Sequence, residues 1–269
     1  MEDAGSDSSY NSIFLELASE LRSSMLLKLN DKNLKLSQLA EQVGISVQEA
    51  HRNADRLIST SLIRKDPAGL LSITPFGKSV MKQLDSFRFL AQHRRYFEEH
   101  TLEDLPVKFI HRIGALSNCN IITGLVAALE KWEDMCNEAK EYIKEITTQV
   151  PLEIIQTHVD KIKQGVKFSY IVGENTIIPK RSVELLKKVN WENFVTKSIA
   201  ERRMVGKILV TVIVTEDQAA VSFPNVKGES DVNSMFFSKD KIFHEWCLDF
   251  FMHKWHNSQE FDKTKIHAV

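Results

Sequence analysis

The sequence predicts a mixed α/β protein in two parts, and three observations support this prediction. A chain of 269 residues is long for a single core, so two domains are expected. Up to about residue 104 the apolar residues recur mainly at helical spacing, with one short hairpin among them. From residue 105 onward, β-branched runs alternate with amphipathic segments, which is the order of strands and helices in an α/β domain.

The composition is ordinary for a soluble globular protein, with 43% hydrophobic and 26% charged residues. The apolar stretch Ile208–Val214 is far shorter than the roughly 20 residues of a membrane span, so no membrane partner is expected. The first residues, MEDAGSDSSYNS, are acidic and polar, unlike a signal peptide. Three cysteines without a C-x-x-C pair indicate free thiols in a reducing compartment. A cytoplasmic location is therefore expected.

Two short helices joined by a tight turn are predicted between residues 36 and 61. Leu36–Val43 has apolar residues at helical spacing, and Gly44 follows where a helix ends in a left-handed residue. Ser46 begins the next helix, Ser46–Ser61, and Glu49 lies three residues on, as in a capping box. This pattern is typical of a DNA-binding helix-turn-helix.

A β-hairpin is predicted directly after these helices. Residues 62–65 and Leu70–Ile73 would be its strands, and the turn between them contains a proline and a glycine. Thr74 and Pro75 then begin another helix, as its N-cap and its first residue. Helix, turn, helix, hairpin, helix is the order of a winged helix-turn-helix domain.

The polar face of the second helix supplies the candidate DNA contacts. Glutamine can form two hydrogen bonds with adenine and arginine two with guanine, and an arginine can also bind a phosphate. Gln48 and Arg52 are expected at base edges, and His51 and Arg56 at bases or phosphates. Two basic residues at the hairpin would hold the DNA backbone. The predicted DNA-binding residues are Ser46, Gln48, His51, Arg52, Arg56, Arg64 and Lys65.

The charge distribution agrees with a double-stranded DNA partner. Between Lys35 and Arg95, ten Lys and Arg residues stand against five Asp and Glu, a net charge of +5. The whole chain has a net charge of −1. A basic module on a nearly neutral chain suits a phosphate-binding surface. The alternative is that these residues form a solvated surface or contact another protein.

The predicted domain limits follow from these patterns. Residues 1–11 are small, polar and acidic and are expected to be disordered. Ile13–Leu29 is predicted as the first helix, and Pro75–Glu99 as a long helix that either supports a dimer or packs within one subunit. The limits are 12–104 for the winged helix-turn-helix domain, 105–257 for the α/β domain and 258–269 for a flexible tail.

The second part is predicted to contain four helices and four strands. The helices are Asn120–Ala139, Pro151–Gln164, Ser182–Val189 and Lys241–His256. The strands are Glu141–Val150, Val166–Val172, and a hairpin of Ile208–Val214 with Ala219–Phe223. A strand, a helix and a strand at this spacing imply a parallel crossover, and hence an α/β domain.

Two stretches of the second part resemble an archaeal family of transcription regulators. They are PLEIIQTHVDKIKQGVKFSYIV and ILVTVIVTEDQAAVSFPNVKGESDVNSMFFSKDKIFHEWCLDFFMHKW, and the most specific residues run from Gly228 to Cys247. Members of this family pair a winged helix with a domain first described in methanogenesis regulators. The resemblance implies a DNA-binding regulator whose carboxy-terminal effector or signalling domain has a phospholipase-D-like sheet. It covers nearly the whole chain beyond the amino-terminal tail.

No enzymatic activity, catalytic residue or cofactor is expected. Phospholipase-D-type hydrolysis needs a nucleophilic His two residues before a Lys, and none of the nine histidines has this spacing. No G-x-S-x-G, Walker or Rossmann glycine motif is present. His158 lies on the apolar face of its helix and is interpreted as a packed core residue.

Three alternatives remain open beside a dimeric, sequence-specific transcription regulator that senses an unknown signal, for instance a small-molecule effector. A metal- or redox-responsive repressor could use His253 and His256, but Cys247 or a partner subunit would have to complete the site. The aromatic residues of the last helix could line a ligand pocket, although such residues more often form core. A protein-interaction adaptor of the transcription machinery would bind DNA weakly and almost independently of salt.

Overall fold

The computed structural model describes residues 4–148, 150–174 and 176–268, and they form a mixed α/β protein. The chain divides into two compact units, one ending at Asp85 and the other beginning at Ser86. Within the described ranges, no helix is both long and apolar enough to cross a membrane.

The amino-terminal unit combines helices with a small antiparallel sheet. Its elements are α1 (Ala4–Leu17), α2 (Glu20–Asp31), β1 (Leu34–Lys35), α3 (Leu36–Val43), α4 (Val47–Ser59), β2 (Ile63–Lys65), β3 (Leu70–Ile73) and the first part of α5 (Pro75–Gln92). The strand order is β1-β3-β2, and Arg64 of β2 pairs with Ser72 of β3. A core of buried side chains, among them Met25, Leu39 and Leu57, holds the helices on this sheet.

Local signals in the sequence account for the helix limits in this unit. Gly44 ends α3 with φ of 78°, in the left-handed region where glycine has no steric cost. The Ser46 hydroxyl accepts a hydrogen bond from the backbone N–H of Glu49 at 3.1 Å and so caps α4. The Thr74 hydroxyl accepts from the N–H of Gly77 at 2.8 Å and caps α5. The predicted order of helix, turn, helix, hairpin and helix is therefore present.

Two predictions for the amino terminus were wrong. The predicted helix Ile13–Leu29 is two helices, because the Ser19 side chain accepts a hydrogen bond from the N–H of Arg22 and starts α2 anew. Residues 4–11, predicted to be disordered, form the first turns of α1. Their polar composition does not show that α1 is held in place at its other end. There the buried Glu16 forms ion pairs with Arg22 and Arg56. Residues 1–3 lie outside the described residues.

The carboxy-terminal unit is built on a large mixed sheet. After the end of α5 it contains α6 (Arg94–Phe97), α7 (Val107–Ile110), a 3-10 turn (Ile113–Leu116), β4 (Asn120–Thr123), α8 (Leu125–Glu138), β5 (Tyr142–Ile146), α9 (Leu152–Lys163), β6 (Lys167–Gly173), β7 (Ile177–Ile178), α10 (Lys180–Lys188), α11 (Trp191–Thr196), β8 (Ala200–Val205), β9 (Thr211–Thr215), β10 (Ala219–Ser222), β11 (Ser234–Ser238), α12 (Lys241–His256), β12 (Gln259–Glu260), a second 3-10 turn (Lys263–Lys265) and β13 (His267–Ala268).

The eight-stranded sheet of this unit is open, with the order β12-β8-β6-β5-β9-β10-β11-β4. The strands β5, β6 and β8 are parallel, and the crossover from β5 through α9 to β6 is the one that the sequence predicts. The predicted hairpin is also present, as antiparallel β9 and β10. The remaining pairings in this sheet are antiparallel, which makes it mixed.

Apolar cores lie on both faces of the sheet. One core includes α12, whose residues Phe243, Trp246 and Phe250 are fully buried. The indole N–H of Trp246 donates a hydrogen bond to the carbonyl oxygen of Phe109 at 3.2 Å. The other core includes α8, α9 and Trp191 of α11. The aromatic residues of the last helix are thus core, as the sequence favoured.

The unit boundary lies earlier than the predicted limit at residue 104. The predicted helix Pro75–Glu99 ends at Gln92, and α6 follows. The Phe89 ring lies 5.4 Å from that of Phe236, and the Tyr96 ring lies 4.8 Å from it. These aromatic contacts place residues 86–97 in the core of the carboxy-terminal unit, and no local sequence pattern reveals them.

Three further differences result from strand pairing and helix limits. The predicted helix Asn120–Ala139 starts as β4, because residues 120–123 pair with β11, and the helix itself begins at Leu125. The tail 258–269, predicted to be flexible, contributes β12 to the large sheet and β13 to a pairing with β7. The predicted helix Ser182–Val189 is α10, and α11 after it was not predicted.

Candidate functional site

Helix α4 has one buried and one exposed face. Ala50, Ala54 and Leu57 are buried in the amino-terminal core. On the opposite face, the Gln48 and Arg52 side chains are exposed. Neither side chain has a hydrogen-bond partner among the described residues. Both side chains are therefore free to reach an external partner.

His51 and Asp55 form a pair on the same exposed face. The Nδ1 atom of His51 lies 2.9 Å from an Asp55 carboxylate oxygen, and both side chains are more than half exposed. The carboxylate orients the imidazole ring through Nδ1, so the other ring nitrogen, Nε2, stays available to an external partner. It also places one negative charge among the basic side chains of this helix.

Arg56 is held by a partner that the sequence did not predict. Its guanidinium binds both carboxylate oxygens of Glu16, with Nη2 2.7 Å from Oε1 and Nε 3.1 Å from Oε2. The hydrogen bonds and the negative charge of Glu16 raise the pKa of Arg56. Glu16 also pairs with Arg22 of α2, so a single buried carboxylate ties three helices together. Arg56 remains exposed, but its position is determined by this structural role.

The hairpin places its two predicted residues on one strand. Arg64 and Lys65 are exposed on β2, and the Nε of Arg64 donates to the Ser72 hydroxyl at 3.2 Å. Asp66 accepts a hydrogen bond from the N–H of Leu70 at 2.8 Å and fixes the turn. Of the seven predicted residues, Ser46 caps the helix, Arg56 is paired with Glu16, and the other five expose polar groups.

A second cluster of reactive side chains is buried in the carboxy-terminal unit. It consists of Cys136 on α8, Glu145 on β5 and His158 on α9. The His158 Nε2 lies 2.9 Å from the Glu145 Oε1 and 3.5 Å from the Cys136 sulfur, which is 3.6 Å from the same oxygen. Glu145 and Cys136 have no exposed surface, and His158 is 3% exposed.

The surroundings of this cluster orient its carboxylate. The indole N–H of Trp132 donates to the Glu145 Oε1 at 2.6 Å, and the His158 ring packs against Phe168. The other oxygen, Oε2, is buried with no hydrogen-bond partner among the described atoms. Burial and the nearby Glu145 charge raise the pKa of the Cys136 thiol well above its usual range.

Sequence reasoning missed this cluster because its members are 9 and 13 residues apart and match no short ligand motif. The available signals were a glutamate inside a β-branched strand and a histidine on an apolar helix face. The alternative ligands do not meet: Cys247 is fully buried, whereas His253 lies at the surface beside Lys108 and Asn257.

A small pocket also lies in the carboxy-terminal unit, at one end of β5 and β6. Its volume is about 140 Å³, and its lining includes Asp104, Ile146, Ile171, Lys207 and Lys254. Pockets for small organic ligands usually measure about 300–1,000 Å³, so this one suits at most a small ion or molecule.

The chain is distantly similar in structure to several known proteins. No protein-family profile matches it, and no curated protein matches it. Among solved structures it is similar to the archaeal chromatin protein TrmBL2, at 12% identity and a TM-score of 0.42, over 94% of this chain and all of the other. It is also similar to the phospholipase D family member Nuc from Salmonella typhimurium, at 15% identity and a TM-score of 0.39, over 54% of this chain and all of the other. The values for NucT from Helicobacter pylori are 11% identity and a TM-score of 0.41, over 54% and 99% of the two chains. Likenesses of this size are too distant to assign a function.

Proposed function

We propose that this protein is a sequence-specific DNA-binding transcription regulator whose amino-terminal unit is a winged helix-turn-helix module. One observation carries the proposal: α4 buries its apolar face and exposes Gln48, His51 and Arg52 together on the other. A helix fits the major groove of B-DNA, where glutamine and arginine distinguish base pairs through hydrogen bonds to base edges. Among the described residues neither Gln48 nor Arg52 has a side-chain partner, so base recognition requires no internal hydrogen bond of these residues to break.

The hairpin supports the proposal from a second direction. Arg64 and Lys65 extend from β2 with exposed side chains, and two adjacent cationic groups favour a polyanionic partner. Arg56 contributes its charge but not a free guanidinium, because Glu16 occupies its hydrogen-bonding edge. We therefore assign base recognition to Gln48 and Arg52, and phosphate binding to Arg64 and Lys65.

Arg52→Ala is expected to weaken binding to a cognate duplex about ten-fold, because a specific arginine–guanine contact contributes about 1–3 kcal/mol. The duplex would first be selected from a random library with the wild-type protein, and the affinity measured by fluorescence anisotropy. Arg181→Ala removes an exposed arginine from α10 and serves as the matched control, with unchanged affinity. Failure to enrich any duplex, or equal affinities for both variants, would refute the proposal.

Lys65→Ala is expected to weaken binding by a similar factor on every duplex, because a phosphate contact carries no sequence information. The slope of log affinity against log salt concentration should become shallower by about one. The comparison is Lys188→Ala, another exposed lysine, for which the wild-type slope is expected. An adaptor that docks on other proteins would instead show weak binding with almost no salt dependence.

The proposal includes a cytoplasmic homodimer. It also includes a carboxy-terminal unit that receives a regulatory signal, and this second role is the one that the family resemblance implies. Two copies of α4 about one helical turn of DNA apart would read a palindromic site. Footprints of two half-sites separated by about 34–36 Å on the selected duplex would support the dimer. A single half-site bound at one chain per duplex would contradict it.

A further inference from the structure

We propose that Cys136, Glu145 and His158 form a buried binding site for one Zn²⁺ ion in the carboxy-terminal unit. This inference does not depend on DNA binding. The three residues come from three different elements, α8, β5 and α9, and offer a sulfur, an oxygen and a nitrogen atom. These atoms all lie within 4.8 Å of one another.

The distances between the ligand atoms fit a tetrahedral zinc ion. Zinc bonds measure about 2.3 Å to sulfur and about 2.0–2.1 Å to nitrogen or oxygen. At the tetrahedral angle, these bond lengths place the sulfur atom about 3.5 Å from the nitrogen and from the oxygen ligand. The Cys136 sulfur lies 3.5 Å from the His158 nitrogen and 3.6 Å from the Glu145 oxygen. The nitrogen and the oxygen lie 2.9 Å apart, and a tetrahedral ion would separate them to about 3.3 Å. A shift of a few tenths of an ångström is within the freedom of these side chains.

The chemistry of the three donors selects the ion. Mg²⁺ and Ca²⁺ prefer oxygen ligands alone, whereas a thiolate, an imidazole and a carboxylate together suit Zn²⁺. The thiolate and the carboxylate supply two negative charges, which balance the charge of the ion in a site without water-exposed surface. Such compensation matters because an unpaired buried charge strongly destabilises the folded state.

An independent observation points to a missing partner at this site. The Glu145 Oε2 atom is fully buried and has no hydrogen-bond partner among the described atoms. Buried carboxylate oxygens without partners are rare in proteins, because desolvation leaves them unstable. A Zn²⁺ ion bound at Oε1 would balance the negative charge that the carboxylate shares between its two oxygens, and would thereby stabilise the buried Oε2 as well.

Trp132 completes the arrangement as a supporting residue. Its indole N–H donates to the Glu145 Oε1 at 2.6 Å and orients the carboxylate toward Cys136 and His158. Hydrogen bonds of this kind to metal ligands commonly orient them and increase metal affinity. With three protein ligands, the fourth position of the ion falls to a water molecule or a small anion.

The test is metal binding by the full-length chain. Protein stripped with a chelator, titrated with Zn²⁺ and desalted should retain about one ion per chain by elemental analysis. Titration with Co²⁺ should produce the sulfur-to-cobalt charge-transfer absorption of a thiolate ligand. Cys136→Ala should abolish both signals, whereas Cys247→Ala, at the other fully buried cysteine of this unit, should retain them.

Glu145→Gln provides a variant that keeps the size of the side chain and an oxygen that accepts from Trp132. It should retain the wild-type circular dichroism spectrum and lower zinc affinity at least ten-fold. If the wild-type chain retains no more zinc than Cys136→Ala, or if the charge-transfer absorption disappears in Cys247→Ala and persists in Cys136→Ala, the site is not a zinc site. The cluster would then be a hydrogen-bonded core network.

Discussion

Replacing Trp246 with alanine is expected to lower the free energy of unfolding of the carboxy-terminal unit by about 4 kcal/mol. The Trp246 side chain is fully buried, and its ring stacks on Phe250 with centroids 5.7 Å apart. Its N–H also satisfies the carbonyl oxygen of Phe109. The substitution leaves a large cavity and removes one hydrogen bond from the Phe109 carbonyl oxygen, which keeps its bond from the N–H of Arg112, and both effects lower the stability of the folded unit.

Urea denaturation followed by tryptophan fluorescence measures this effect selectively. The other three tryptophans, Trp132, Trp191 and Trp255, all belong to the same unit. Ile242→Ala is the control, because Ile242 lies on the same helix with 60% of its surface exposed. It should change stability by less than about 0.5 kcal/mol. A loss below about 1 kcal/mol in Trp246→Ala would show that the aromatic core is not packed as described.

Replacing Gly77 with alanine is expected to destabilise the amino-terminal unit by about 2–3 kcal/mol. A Cβ atom at Gly77 would lie 2.1 Å from the carbonyl oxygen of Leu62 and 2.9 Å from the Ile73 side chain. That carbonyl accepts a hydrogen bond from the N–H of Thr74 at 3.0 Å, so it cannot move without loss. Within a helix, alanine is more favourable than glycine by about 1 kcal/mol, and this gain is too small to offset the clash.

Hydrogen exchange measured by mass spectrometry can localise this loss, since peptides from residues 20–85 should exchange faster. The tryptophan fluorescence of the other unit should stay unchanged, because the amino-terminal unit contains no tryptophan. Gly206→Ala is the matched control, since a Cβ there meets no atom within 4 Å. Equal exchange in Gly77→Ala and the wild-type protein would contradict the close approach of α5 to the hairpin.

The amino-terminal unit was predictable because its signals act over a few residues. Gly44, Ser46, Thr74 and the turn before Leu70 each determine a local backbone path through contacts within four residues. The candidate DNA-binding face of α4 can also be predicted locally. The 3.6-residue repeat of a helix places Ala50 and Arg52 on opposite faces, whatever the helix packs against. Its DNA contacts stay predictions.

Glu16 illustrates what such patterns miss. It lies 40 residues from Arg56, and nothing in either segment marks the two as partners. Their contact changes the role of Arg56 from a free guanidinium to one that also links α4 to α1. The same limit applies to the two edge strands of the eight-stranded sheet, since residues 120–123 and 259–260 become strands only because a neighbouring strand is available.

Helix caps, turns and amphipathic faces are properties of short segments, so the amino acid order alone predicts the helix pair, the hairpin and the alternation of strands and helices. The boundary at Ser86, the Glu16 ion pairs and the meeting of Cys136, Glu145 and His158 depend on segments far apart in the chain. Packing of helices on both sides of the sheet brings these segments together. Only the folded chain therefore reveals the aromatic contacts and the buried cluster.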